Sequence, residues 1–208
     1  MPDEGVVARV LAGEPRLFEM LMRRHNRRLF RAARAILRDE AEAEDVVQHA
    51  WVQAFGHLAG FEGRSLFSTW VTRICVHEAL ARARKSARIE PLEPDAQQEV
   101  VMSTGTPEQG ASDRELRRAL EEAIDTLPDP LRTAFVLRTV EGMSIAETAE
   151  VLGIPEDTVK TRAFRARALL QRRLEERFDA LATGAFDFLG ARCDRVVARV
   201  FARIGCAR

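Results

Sequence analysis

Ser144-Ile145-Ala146-Glu147-Thr148-Ala149-Glu150-Val151-Leu152-Gly153-Ile154-Pro155-Glu156-Asp157-Thr158-Val159-Lys160 is the stretch that decides the fold. Ser144 precedes Glu147 by three residues, the spacing at which each side chain can bond the other's backbone amide at a helix start. Ala149 is small enough to let two helices approach closely. Gly153 stands where the first helix must end in a tight turn, and Ile154 fills the space beneath it. Pro155 opens the second helix without wasting a backbone donor. Two short helices joined this way make a helix-turn-helix.

The second helix divides into two faces. Val159, Ala163, Ala166 and Leu170 recur at steps of four, three and four and form the stripe expected to be buried. The opposite face presents Asp157, Lys160, Thr161, Phe164 and Arg165. An aromatic off the buried stripe and beside cations suits a thymine methyl or a sugar. Lys160 and Arg165 can reach guanine edges or phosphates, and Arg162 and Arg167 the flanking backbone. The competing interpretation is a solvated charged face. Turn, cap, stripe and basic face together favour DNA reading.

Working outward, the 208-residue chain has 32 Lys plus Arg and 32 Asp plus Glu, a formal net charge of zero. The balance hides a basic block over 160–173 and an acidic one over 87–113, so local nucleic-acid binding remains open. Cys75, Cys193 and Cys206 are odd in number and widely spaced, which fits a reducing cytoplasm and no disulfide framework. The start, Met1-Pro2-Asp3-Glu4, has no signal-peptide pattern. No apolar run approaches the ~20 residues of a bilayer span, so no membrane partner is expected. No nucleophile–base pair, phosphate loop or metal-ligand set stands out. Neither an enzyme nor a cofactor is expected.

Gly and Pro fall between helical patterns and strand alternation is absent, so the fold class is all-α. Helices are expected over 4–12, 15–37, 40–57, from a cap at Ser65 or Ser68 to about Lys85, 114–126 and 130–141, followed by the helix-turn-helix. Pro91, Pro94, Gly105, Pro107 and Gly110 break the acidic stretch, which reads as a linker, either a plain tether or one with its own task. The organisation is therefore 1–88, a linker over 89–113, 114–177, and a C-terminal extension over 178–208. In that extension Cys193, Val196, Val197, Val200, Phe201 and Ile204 would share one helix side and Arg195, Arg199 and Arg203 the other.

A helix-turn-helix alone does not choose between a free-standing regulator and a polymerase subunit. The first half bears on this. Over 43–58, Val47, Ala50, Trp51, Ala54 and Leu58 form the stripe expected to be buried, while Asp45 and Gln48 share another face. Phe61-Glu62-Gly63-Arg64-Ser65-Leu66-Phe67-Ser68-Thr69-Trp70 follows. These pieces, with Leu127-Pro128 and Thr158-Val159-Lys160-Thr161-Arg162, resemble the sigma-70 family, in its extracytoplasmic-function group, over 14–88 and 113–177.

The resemblance implies two small helical domains and a non-catalytic role: binding core RNA polymerase, recognising promoter DNA, melting it and starting transcription. Glu44, Asp45 and Gln48 match the helix that binds the clamp coiled coil of the polymerase. Residues 59–66, with Phe61, Arg64 and Ser65, match the loop that captures a base flipped from the −10 element. Phe67 and Trp70 would support that loop from the core, the alternative being that they stack on DNA. Arg73, His77, Arg82, Arg84, Lys85 and Arg88 would follow −10 DNA. Lys160, Thr161, Arg162, Phe164 and Arg165 would read the −35 element. The linker would run through the polymerase near its active site and RNA exit path. An anti-sigma factor is a further possible partner. His77 stands where the family usually has Asn and Ala81 where it often has Asp, so base preference does not transfer; His77 reads as a structural histidine, a base contact or a pH-sensitive group. Cys75 reads as core. The rival reading, a dimeric regulator binding duplex DNA without polymerase, lacks a role for the Asp45/Gln48 face. A hydrolase using Asp45, His49 and Glu78 has no supporting motif. The extension, whose apolar stripe needs a partner surface, is expected to pack on the promoter-reading halves; the alternatives are a partner-binding segment or one that holds the halves closed, attachment to a membrane surface, and a redox or metal switch at Cys193 and Cys206.

Overall fold

In the computed structural model the described residues are 1–89, 109–183 and 195–200, and they contain helices and turns alone. The elements are α1 (Asp3–Leu11), a 3-10 turn (Pro15–Leu17), α2 (Phe18–Leu37), α3 (Glu40–Gly56), a 3-10 turn (Leu58–Gly60), α4 (Phe67–Ile89), α5 (Gln109–Asp125), α6 (Asp129–Phe135), a π turn (Val136–Val140), α7 (Ile145–Leu152) and α8 (Glu156–Thr183). Met1–Leu170 forms one compact unit and Gln171–Arg208 another.

The first half is a bundle in which α2 packs on α3 and α4. Leu21, Leu29, Ala32 and Ala33 of α2, Ala43, Val46, Ala50, Trp51 and Ala54 of α3, and Phe67, Val71, Cys75, Val76 and Ala79 of α4 supply its core. The alanines recur at helical spacing and let the backbones come close, which suits an Ala-rich sequence. Val46, rather than Val47, is the fully buried valine of α3; Val47 is half-buried. The Trp51 indole N–H cannot be left unpaired inside, and it donates to Asn26 Oδ1 at 2.7 Å. Phe18 meets the Trp51 ring edge-on, with centroids 5.5 Å apart. Asp39 caps α3 by accepting from the Glu42 amide at 2.7 Å.

Several boundaries differ from those expected. Neither Ser65 nor Ser68 caps α4. The Leu66 carbonyl accepts from the Thr69 and Trp70 amides, and Ser68 lies inside the first turn, buried. α5 starts at Gln109, so Gly110 continues a helix instead of breaking one. α8 runs on to Thr183. Pro155 stands one position before α8, and its carbonyl takes the Thr158 and Val159 amides. Of the linker expected over 89–113, residues 90–108 lie outside the described residues, as do Cys193, Phe201, Ile204 and Cys206. Val196, Val197 and Val200 lie in a helical stretch over 195–200 and are exposed.

The helix-turn-helix forms as its residues dictate. Ser144 Oγ accepts from the Glu147 amide at 3.1 Å and Glu147 Oε2 accepts from the Ser144 amide at 2.7 Å. Gly153 adopts φ +63°, a left-handed conformation that costs glycine nothing. Val159, Ala163, Ala166 and Leu170 are all buried.

The two halves share a core within Met1–Leu170. Leu137, Met143 and Val151 of the second half join the first half's apolar cluster, and Ala35 of α2 joins that of Leu127, Phe135, Val136, Ala166 and Leu170. Arg132, fully buried, reaches across: its Nε donates to the Ala35 carbonyl at 2.6 Å and a terminal nitrogen donates to the Leu127 carbonyl at 2.9 Å. Ala35 lies in the last turn of α2, where carbonyls lack helical partners. Around this centre run ion pairs: Arg28 and Arg31 with Glu141, Arg34 with Asp125, Arg38 with Asp129, and Arg73 with Glu150.

Candidate nucleic-acid interface and docking face

Three surfaces collect the residues singled out from the sequence. The first is the outer side of α3. Glu44, Asp45 and Gln48 are exposed on it, and Asp45 lies 3.8 Å from Arg82. Beside them opens an apolar groove of about 700 Å3 between α2 and α3, lined by Phe18, Met22, Phe30, Val47, Val52 and Phe55, with Glu44 and Gln48 on its wall. Val52 is 70% exposed and Phe55 47%. The sequence reading missed this groove, because the buried stripe accounted for α3 without asking why Val52 and Phe55 lie off it. Large exposed apolar patches rimmed by polar groups mark docking faces.

The second surface is the loop before α4. Gly60, Phe61, Glu62, Gly63, Arg64 and Ser65 line a pocket of about 420 Å3 together with Trp70, Arg73 and Glu150. Phe61 is wedged between Phe67 and Trp70, at centroid distances of 5.5 and 5.4 Å. Phe67 is buried and Trp70 half-buried, so this aromatic cluster holds the loop from below. Arg64 is exposed and bonds Glu62. Arg73, His77, Arg84 and Lys85 lie along α4; His77, Arg84 and Lys85 are exposed and Arg73 is half-buried. Arg82, on the same helix, lies 3.5 Å from Glu42 of α3. The surroundings of Arg88 lie outside the described side chains. His49 approaches Glu78 at 3.5 Å while Asp45 faces Arg82, so the three do not form a catalytic triad.

The third surface is α8. Lys160, Thr161, Phe164 and Arg165 are exposed, Phe164 to 74%, while Arg162 is half-buried. Lys160 pairs with Asp157 at 2.9 Å, which raises the pKa of its ammonium by a hydrogen bond and by charge. The Thr161 hydroxyl donates to the Asp157 carbonyl at 2.8 Å.

Cys75 is fully buried and donates to the Leu29 carbonyl. Burial, with the Glu78 charge adding to it, pushes its thiol up to about 12. A protonated thiol is neither ligand nor nucleophile. No cluster of metal-ligating side chains occurs among the described residues, and no described helix is long and apolar enough to cross a membrane.

Two family patterns match the chain: sigma-70 region 2 over residues 21–89 and sigma-70, region 4 over residues 117–170. The chain is 32% identical over 181 residues to the RNA polymerase sigma-H factor of Pseudomonas aeruginosa, covering 83% of this chain and 94% of that one. It is 32% identical over 184 residues to the ECF RNA polymerase sigma-E factor of Haemophilus influenzae, covering 84% and 96%. Among solved structures it is similar to CnrH in complex with the cytosolic domain of CnrY, at 30% identity and a TM-score of 0.60, covering 84% of this chain and 97% of that one.

Proposed function

Since the chain belongs to the sigma-70 family, in its extracytoplasmic-function group, we propose a division of labour among the three surfaces just described. As a member of that family it is an alternative sigma factor, which binds core RNA polymerase and directs promoter recognition, DNA melting and initiation; it is not an enzyme. The outer side of α3, with Glu44, Asp45 and Gln48, receives a helical element of the polymerase, its clamp coiled coil. The groove of Phe18, Met22, Phe30, Val52 and Phe55 takes that element's apolar side chains, and the three polar residues fix its register. The pocket of Phe61, Arg64 and Ser65 captures one unstacked base of the −10 element. Unstacking costs a few kcal/mol, which a snug, aromatic-backed pocket offsets. Arg73, His77 and Arg84 guide the strand that leads into it. Lys160, Thr161, Arg162, Phe164 and Arg165 read the −35 element in the major groove.

The observation that carries this reading is the exposed groove beside Asp45 and Gln48. An exposed apolar groove rimmed by polar groups is a protein-docking face, and here Glu44 and Gln48 on its wall are residues that match the family's polymerase-binding helix. The place of action is the cytoplasm, where polymerase and promoter meet. A regulatory partner of the anti-sigma kind also fits this reading, since a 30%-identical relative is solved in complex with another protein's cytosolic domain.

The test is run-off transcription from a library of upstream DNA fragments, with core polymerase, with and without the protein. New start sites are expected with the chain and are expected to vanish with Asp45→Ala/Gln48→Ala. Initiation unchanged by that double substitution would remove α3 from the docking role. Duplex binding without any initiation would favour the regulator.

A further inference from the structure

The ion pairs that join the two halves share one polarity. Arg28, Arg31 and Arg34 of α2, Arg38 just past its end and Arg73 of α4 supply the cations; Glu141, Asp125, Asp129 and Glu150 of the second half supply the anions. The α2 arginines recur every three or four residues, so they lie on one side of the helix about 5 Å apart along it. Such a row is a track for a polyanion, and here protein carboxylates occupy it.

The same contact surface reaches the pocket before α4. α7 packs across α4, the Thr69 hydroxyl donates to Glu147 at 3.0 Å, and Glu150 accepts from Arg73 at 3.2 Å. Glu150 thereby becomes part of the pocket wall. A carboxylate in front of an arginine offers the same charged acceptors as a phosphate. Glu147 is shared: it caps α7 and holds Thr69, so the start of the helix-turn-helix is also where the second half meets α4.

We infer that the acidic side of the second half is an internal substitute for nucleic-acid backbone, holding the arginines of the first half and covering the Gly60–Ser65 pocket with α7, so that a single strand enters only after α7 lifts away. This rests on the reading of that pocket as the strand-capture site. The closure uses residues within Met1–Leu170 and needs nothing from the C-terminal extension. Glu141 is its strongest tie, since its side chain is only 7% exposed and faces both Arg28 and Arg31. Arg73–Glu150 is a partly exposed pair that a competing phosphate can replace. Salt weakens all of these contacts.

The test is made on the full chain without polymerase, comparing wild type, Glu141→Gln/Glu150→Gln and a charge-matched control, Glu4→Gln/Glu19→Gln, which neutralises two acids outside the contact surface. Closure is read by energy transfer between dyes at Glu4→Cys and Ala168→Cys in a Cys193→Ser/Cys206→Ser background; where the control is made, the dye at position 4 moves to Arg16→Cys in all three. Access is read by fluorescence anisotropy with a pool of labelled single-stranded 12-mers of random sequence. Wild type and control are expected in one high-transfer state at low salt. The Glu141/Glu150 variant is expected to gain a low-transfer population and to bind the pool about three- to tenfold more tightly than the control, the effect of losing two such pairs. Equal transfer in variant and control, or a wild type already open, overturns the closure. Opening with no gain in strand binding overturns the masking and traces its failure to the pocket's assigned role.

Discussion

Replacing Arg132 by Met removes a buried link between the two halves of Met1–Leu170. Its guanidinium is fully buried, donates to the Ala35 carbonyl at 2.6 Å and the Leu127 carbonyl at 2.9 Å, and pairs with Asp129 at 2.9 Å. Met matches its stem but supplies no donor. Each buried carbonyl left without a partner costs about 1–3 kcal/mol. Against this, burial and the nearby Arg38 charge already disfavour the charged guanidinium and lower its pKa, with Asp129 opposing. Removing the charge relieves that cost. The expected net loss is about 2–4 kcal/mol, overlapping the low end of the roughly 3–5 kcal/mol for breaking a buried ionic contact from one side. For a chain of this size it lowers the Tm by roughly 5–15 °C. Urea unfolding followed by circular dichroism measures it. Arg38→Met is the companion, since its pair with Asp129 is exposed on both sides and its loss is expected within about 1 kcal/mol. An Arg132→Met chain within about 0.5 kcal/mol of wild type would refute the account of the Ala35 and Leu127 carbonyls.

Ser144→Ala is expected to cost about 1 kcal/mol by uncapping α7. The hydrogen bonds from Ser144, and less strongly that from Thr69, hold the Glu147 carboxyl below the usual range. Its contribution is therefore present above its unfolded pKa and lost as pH falls through the lowered folded value, so Glu147→Gln should cost stability at neutral pH and nothing in acid; denaturant melts at the two pH values check both substitutions. Cys75 is held neutral by the fold, with its thiol pushed up to about 12. Its contribution is complete below the ordinary thiol pKa and is lost as pH rises toward 12. In a Cys193→Ser/Cys206→Ser background an aromatic disulfide reagent at mild alkaline pH should react only at the rate of unfolding, and a fast reaction of the folded chain would contradict the burial.

The sequence alone determined the all-α class, the two helical halves and the helix-turn-helix, because each rests on local rules. Capping spacing, a glycine at a left-handed turn and a stripe at helical period act within a few residues, so Ser144, Gly153, Val159, Ala163, Ala166 and Leu170 sit where their order put them. The same rules placed Lys160, Thr161, Phe164 and Arg165 outside, since whatever lies off a well-defined stripe faces solvent. Tertiary structure decided what depends on distant neighbours. Arg82 belongs to a basic row by spacing, and packing sets it beside Glu42 of α3. Leu66 takes the cap position from two serines, with Ser68 buried inside the first turn of α4. Val52 and Phe55 became a groove only when α2 was laid beside α3. The pairing of Arg28, Arg31, Arg34 and Arg38 with Glu141, Asp125 and Asp129 joins residues 91 to 113 positions apart. No periodicity reports such a pairing, because charge complementarity between helices acts through space and is fixed only when the apolar cores on either side have met.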